Sequence, residues 1–208
     1  MSVDGFVAGP NQSVENPLGI GGENLHKWVF PLRFWREMHG ETGGEVNASQ
    51  DFLRESHANV GATIMGRNMF GGHPGGWDAD APWNGWWGDD PPFHQPVFVL
   101  THHAREPLVC EGGTTFTFVT DGIVSALAQA RQAAGGKDVS LAGGAQACQE
   151  YLAAGLVDEM VINLAPTLLG GGERLFDGLG DDLHGLEPRR SVAAPAVTHL
   201  FFSRPAAE

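Results

Sequence analysis

The chain has 208 residues, 42% of them hydrophobic, enough for one domain with a substantial core. Its formal net charge is −13, with only 12 Lys and Arg and no basic run, which argues against nucleic acid as a partner and for solubility. There is no signal peptide and no apolar run long enough to span a membrane, and Cys110 and Cys148 have no spacing for a disulfide framework or a metal site, so a cytoplasmic protein with free thiols is expected.

Residues 10–48 are polar and glycine-rich around an aromatic island from Leu25 to Arg36. Asn47 or Ser49 is placed to cap a helix running to about Ala58. The apolar run Ala62–Met65 reads as a strand, and Gly66-Arg67-Asn68 opens a further helix or turn. Residues 71–96 form a long loop holding Trp77, Trp83, Trp86 and Trp87, four of the six tryptophans. Tryptophans this dense need something to bury them, so an ordered flap or a subunit contact is expected. Val97–Leu100 is a buried strand ending at Thr101-His102-His103. The adjacent histidines do not point to metal, because consecutive strand residues face opposite sides and no further ligands are supplied.

Phe116–Val119 is a short strand, Thr120 or Asp121 caps a helix over 123–134, and Gly135-Gly136 ends it. The stretch from Val139 to Phe176 then organises the chain. Val139–Ala142 is a strand, Gly143-Gly144 breaks it, Ala145–Ala154 are good helix formers, Gly155 is placed as a C-terminal cap, and Met160–Leu164 is a second strand that Pro166 ends. Val197–Ser203 reads as a last strand. Strands alternating with helices imply parallel crossovers and an α/β class in three layers. A strand that runs through paired glycines into a helix is either a phosphate site or a tight turn that binds nothing; both stay open on the bare Gly143-Gly144. No nucleophile, acid–base pair or zinc-deaminase motif is present, so the hard chemistry falls to a cofactor.

Five motifs in order, S-V-D-G-F-V-A-G from Ser2, I-M-G-R-N-M-F from Ile64, V-F-V-L-T from Val97, L-A-G-G from Leu141, and G-L-V-D-E-M with A-P-T-L-L-G-G-G-E-R-L-F from Gly155 to Phe176, resemble the dihydrofolate reductase-like superfamily. The chain is most similar there to stand-alone relatives of the riboflavin-biosynthesis reductase domain. The resemblance implies one domain over residues 1–208, with long loop insertions at about 10–48 and 71–96. Its sheet is mostly parallel with an antiparallel C-terminal strand. In the family the first motif follows a hydrophobic strand in mid-sheet; here Met1 stands at that strand's end, so an upstream stretch, an internal start or a truncated strand with unpaired neighbours is expected.

The resemblance further implies NADPH-dependent hydride transfer to a small heterocyclic or carbonyl substrate, pterin- or pyrimidine-like, with a non-catalytic nucleotide-binding protein as the alternative, and a homodimer. Cofactor contacts are expected from Ala8, Gly66, Arg67, Asn68, Thr101, His102, Gly143, Gly144 and Ala145, with His103 and Arg105 as further charge near a 2′-phosphate. Ala145 stands where a third glycine is common. Asp4 is the candidate catalytic residue, against an Asx-type turn beside Gly5. Glu37 and Asp51 lie where dihydrofolate reductases place a proton-donating carboxylate. Neither is a convincing match, which argues against dihydrofolate as substrate.

Overall fold

The β-branched and aromatic runs form strands and the alanine-rich stretches form helices, in the order the sequence indicates. The computed structural model describes residues 1–73, 75–181 and 183–205. In chain order these are β1 (Phe6–Ala8), α1 (Arg33–Met38), α2 (Ala48–Ala58), β2 (Val60–Gly66), α3 (Arg67–Phe70), β3 (Pro96–Leu100), β4 (Leu108–Val109) and β5 (Thr115–Val119). Then follow α4 (Gly122–Ala134), β6 (Asp138–Gly143), α5 (Ala145–Ala153), β7 (Glu159–Leu164), β8 (Glu173–Arg174), β9 (Glu187–Ala194) and β10 (Val197–Ser203). The chain forms two compact units, residues 56–148 and residues 1–55 with 149–208.

The unit 56–148 is built on a five-stranded sheet in the order β4-β5-β3-β2-β6. All its pairings are parallel except β4 with β5. α4 packs on β2, β3 and β6 through Ala126, Leu127, Ala130 and Ala134. Its left-handed cap at Gly135 is the expected glycine stop. The expected side-chain cap at Thr120 or Asp121 is absent: Asp121 holds the N-cap position without a side-chain hydrogen bond to the helix, because Thr120 Oγ1 and Asp121 Oδ1 approach each other instead. Met65, Phe70, Val97, Val99, Phe116 and Phe118 form the buried core of this unit. The tryptophan-rich loop packs onto that core through Trp77, Trp83 and Trp87. Trp83 and Trp86 donate their indole N–H groups to the carbonyls of Phe70 and Met69. The tryptophans of this loop are thus packed against, or bonded to, residues of their own unit.

The unit of residues 1–55 with 149–208 carries an antiparallel sheet in the order β7-β10-β9 and a small antiparallel pair of β1 with β8. β10 is antiparallel to both neighbours, as expected for the last strand. β9 was not legible, because its stretch Glu187–Ala194 is polar and exposed; only pairing with β10 makes it a strand. Asn47 is the cap of α2, its side-chain oxygen accepting from the Ser49 N–H at 2.9 Å. Among the described residues, β6 pairs only with β2 and β7 only with β10, so each is an edge strand. The start of the chain lies beside β7, with the Ala165 N–H donating to the Met1 carbonyl at 2.9 Å. The aromatic island supplies core: Trp28, Val29 and Leu32 pack with Phe52, Leu53 and Val197.

His199 is fully buried in this unit. Its Nδ1–H donates to Asn163 Oδ1 at 2.7 Å, and its Nε2 lies 2.9 Å from Ser49 Oγ, which donates to it. Burial pushes its pKa below the usual histidine value, so the imidazole is held neutral. Above about pH 6.5 it is neutral in both folded and unfolded chains; below that, only the unfolded chain takes up the proton readily. Stability is therefore lost as pH falls below about 6.5. Denaturant midpoints measured from pH 7.5 to 5 should fall less steeply in His199→Gln than in the parent protein.

Candidate cofactor site at the strand ends

Parallel strands share one polarity, so β2, β3 and β6 end at the same edge of their sheet. The register places Met65 of β2 opposite Gly143 of β6, and Gly66 of β2 opposite Leu100 of β3. The edge at the carboxyl ends of parallel strands is where open α/β sheets take their ligands. It carries Gly66, Arg67 and Asn68 at the end of β2, Thr101 and His102 after β3, and Gly143, Gly144 and Ala145 at the end of β6. Of the expected contact residues, these eight are brought together in one unit.

Gly66 meets the start of α5 closely. A Cβ placed on it would lie 3.3 Å from the Ala147 Cβ and 3.5 Å from the Gly144 nitrogen. Gly144 is different: it has no positive φ, and a Cβ there would meet no atom within 4 Å. The fold does not demand glycine at 144, and the open space lies at the first turn of a nine-residue helix, whose free N–H groups favour an anion. The Gly143–Gly144 peptide is cis. Ala145 is buried and has no positive φ, so alanine in place of a third glycine carries no backbone strain.

Two guanidinium groups occupy the β2 and β3 side of the edge. Arg67 stacks on the Trp77 indole, its Cζ 3.9 Å from the ring centroid, and donates to the His73 carbonyl at 3.1 Å. Its Nε is buried with no hydrogen-bond partner. Arg105 lies over the same indole at 5.1 Å and donates to the Trp83 carbonyl and to Asn84 Oδ1. Burial, and then the charge of Arg105, push the pKa of Arg67 below its usual value; burial does the same to Arg105. Among the described residues neither pairs with a carboxylate. Thr101 is buried and its Oγ1 accepts from the His103 N–H at 3.2 Å, while Asn68, His102 and His103 are exposed.

An orphaned buried donor, two cations without counter-ions and an open helix start suit an anionic, phosphate-bearing cofactor. The family model for the RibD C-terminal domain matches residues 1–199. The chain belongs to the RibD C-terminal domain family. This is a reductase domain of the dihydrofolate reductase-like superfamily, and the protein is an oxidoreductase of the α/β/α class. Among solved structures, a riboflavin biosynthesis protein of Shewanella sp. PV-4 is similar at 24% identity and a TM-score of 0.60, over 99% of this chain and 96% of that one. A diaminohydroxyphosphoribosylaminopyrimidine deaminase/5-amino-6-(5-phosphoribosylamino)uracil reductase of Thermotoga maritima is similar at 11% identity and a TM-score of 0.52, over 98% of this chain and 54% of that one. A RibD of Acinetobacter baumannii follows at 18% identity and a TM-score of 0.50, over 77% of this chain and 52% of that one. The chain spans about half the length of the last two. At these identities the likeness is one of fold. No curated protein matches the sequence.

The remaining expected residues of this RibD-family domain, Asp4 and Ala8, lie in the other unit. Ala8 is buried at the end of β1. The Asp4 carboxylate accepts the backbone N–H groups of Leu169, at 3.2 Å, and Gly170, at 2.7 Å. The Ser2 hydroxyl first, then these N–H groups, hold its carboxyl down to about 2. Asp4 is thus an ionised anchor for the glycine-rich loop after β7. Glu37 is exposed and bound to Arg54 at 2.6 Å, and Asp51 is exposed on α2. In the sequence Trp77 stands out only as one of a dense group, with no link to Arg67 or Arg105. The signal was present in composition, as an aromatic cluster following a Gly-Arg pair, but the pairing needs the folded loop. No helix is long and apolar enough to cross a membrane among the described residues.

Proposed function

We propose that this protein is an NADPH-dependent reductase of a small heterocyclic or carbonyl compound, pterin- or pyrimidine-like, with both units acting as one reductase domain in the cytoplasm. The observation that carries the reading is the open space at Gly144 beside a cationic strand-end edge in a family of reductases. When bound, the reduced nicotinamide supplies the hydride. The chain's own residues bind and orient: Gly143, Gly144 and Ala145 present the helix start to phosphate, Gly66 allows close approach of α5, and Arg67, Asn68, Thr101 and His102 offer donors after β2 and β3.

Binding of NADPH and of NADH, followed by quenching of tryptophan fluorescence, tests the reading. NADPH is expected to bind at least about tenfold more tightly, since one added charge-assisted contact contributes about 1.5–3 kcal/mol. Equal affinity at low salt would count against NADPH as the cofactor. The Asp4 carboxylate is held by the Ser2 hydroxyl and by the Gly170 and Leu169 N–H groups at a pKa of about 2, so it is a poor proton donor. Absence of NADPH oxidation with pterin and pyrimidine substrates, alongside tight binding, would count against that substrate class. We also propose a homodimer, to be checked by sedimentation at micromolar concentration. With Trp83 and Trp86 bonded within their own unit, dimer formation need not use these two side chains.

A further inference from the structure

We propose that the tryptophan-rich loop 71–96 is a positioning device for cofactor choice: Trp77, with the Asn84 side chain, holds Arg67 and Arg105 together as a two-armed clamp for a phosphomonoester. The inference rests on the NADPH reading above and goes beyond it, because it assigns the preference to a loop rather than to the strand-end residues alone.

The chain is strongly acidic, yet two of its 12 Lys and Arg are held against one indole. Like charges brought together without a carboxylate repel, so something must fix them. Trp77 does this from one side. Its ring stacks under Arg67 and lies within cation–π reach of Arg105, and its Nε1–H is tied to the His103 carbonyl at 2.8 Å. Phe118 backs the indole at 4.9 Å between centroids. Loop oxygens complete the hold: the carbonyls of His73 and Trp83, and Asn84 Oδ1 at 2.6 Å from an Arg105 nitrogen. These acceptors are neutral. They orient the guanidinium groups and leave both positive charges uncompensated.

The charge selects the ligand. A phosphodiester carries one negative charge, whereas a phosphomonoester carries about −1.5 to −2 at pH 7 and offers three acceptor oxygens. Two unneutralised guanidinium groups fit the second, and planar forks suit its oxygens better than ammonium groups would. Among nicotinamide cofactors only the 2′-phosphorylated form carries such a group. The loop sets how far the two forks stand apart and which way they face, so it sets the discrimination.

The test uses the full chain with NADPH, NADH, adenosine 2′,5′-bisphosphate and adenosine 5′-monophosphate, titrated by calorimetry against wild type, Trp77→Leu, Trp77→Phe and Asn84→Ala. Trp77→Leu should lower the ratio of NADPH to NADH affinity about three- to tenfold, and shift the bisphosphate-to-monophosphate ratio alike, with NADH affinity within about twofold of wild type. Trp77→Phe, which keeps an aromatic face, should restore most of the ratio. Asn84 is exposed, so Asn84→Ala keeps the fold and should lower the ratio by releasing one arm of Arg105 even if Trp77→Leu does not fold. A wild type that discriminates, with Asn84→Ala and any folded Trp77→Leu discriminating equally well, would overturn the positioning role and leave the NADPH reading standing. A wild type that binds NADPH and NADH alike would overturn the clamp. Binding of neither would overturn both readings together.

Discussion

Gly144→Val is expected to weaken NADPH binding by about tenfold to a hundredfold while leaving thermal stability nearly unchanged. Loss of a single hydrogen bond to a charged group costs about 1.5–3 kcal/mol, and each 1.4 kcal/mol is tenfold in affinity. The site is unusual in separating the two effects. A Cβ at 144 meets no atom within 4 Å beyond its chain neighbours and the residue has no positive φ, so a Cβ there is accommodated without a left-handed backbone. Substitutions away from packed or strained positions usually change stability by less than about 0.5 kcal/mol. Gly144→Ala should give an intermediate loss of affinity. Calorimetric titration beside a melting curve for each variant checks both halves. Unchanged affinity in a folded Gly144→Val would remove the α5 start from the site.

Phe116→Ala should cost about 3–5 kcal/mol, a large share of the 5–15 kcal/mol that holds a typical domain together. Phe116 has no exposed surface and sits on β5 at the centre of the aromatic core. Its ring meets Phe70 at 5.1 Å, stacks near-parallel with Trp87 at 5.9 Å and meets Phe93 at 6.0 Å. Removing it leaves a cavity and takes away the floor under the loop at Trp87. Urea denaturation should show the lower midpoint, and limited proteolysis should show new cleavage within 71–96. A control at Val124, which is 70% exposed on α4, should stay within about 0.5 kcal/mol when changed to alanine. Loss of stability in Phe116→Ala with the loop still resistant would mean that the tryptophans hold the loop without this core.

What the sequence determined by itself was local. The strand–Gly-Gly–helix run from Val139 to Ala154 is realised as β6 and α5, and Gly155 takes the left-handed cap conformation at φ 64°. Helix formers, β-branched runs and glycine stops act over a few residues, and their order alone places the ends of β2, β3 and β6 before three candidate binding segments. The resemblance to the reductase superfamily was legible for the same reason, since its motifs are these turns.

Tertiary structure decided everything that depends on a distant partner. β9 has no apolar alternation and is a strand only because β10 turns back along it. The short β1 and β8 pair across more than 160 positions, with Phe6 opposite Arg174. Asp4 has the composition of a turn or a catalytic residue; the Ser2 hydroxyl is its near partner, and only the folded chain adds the Gly170 and Leu169 N–H groups to it. Between Arg67 and Arg105 lie a loop of glycines, prolines and tryptophans with no period to read and the strand β3. Their meeting on Trp77 follows from burying that indole against Phe118, a consequence of apolar area and long-range packing that no short window of residues contains.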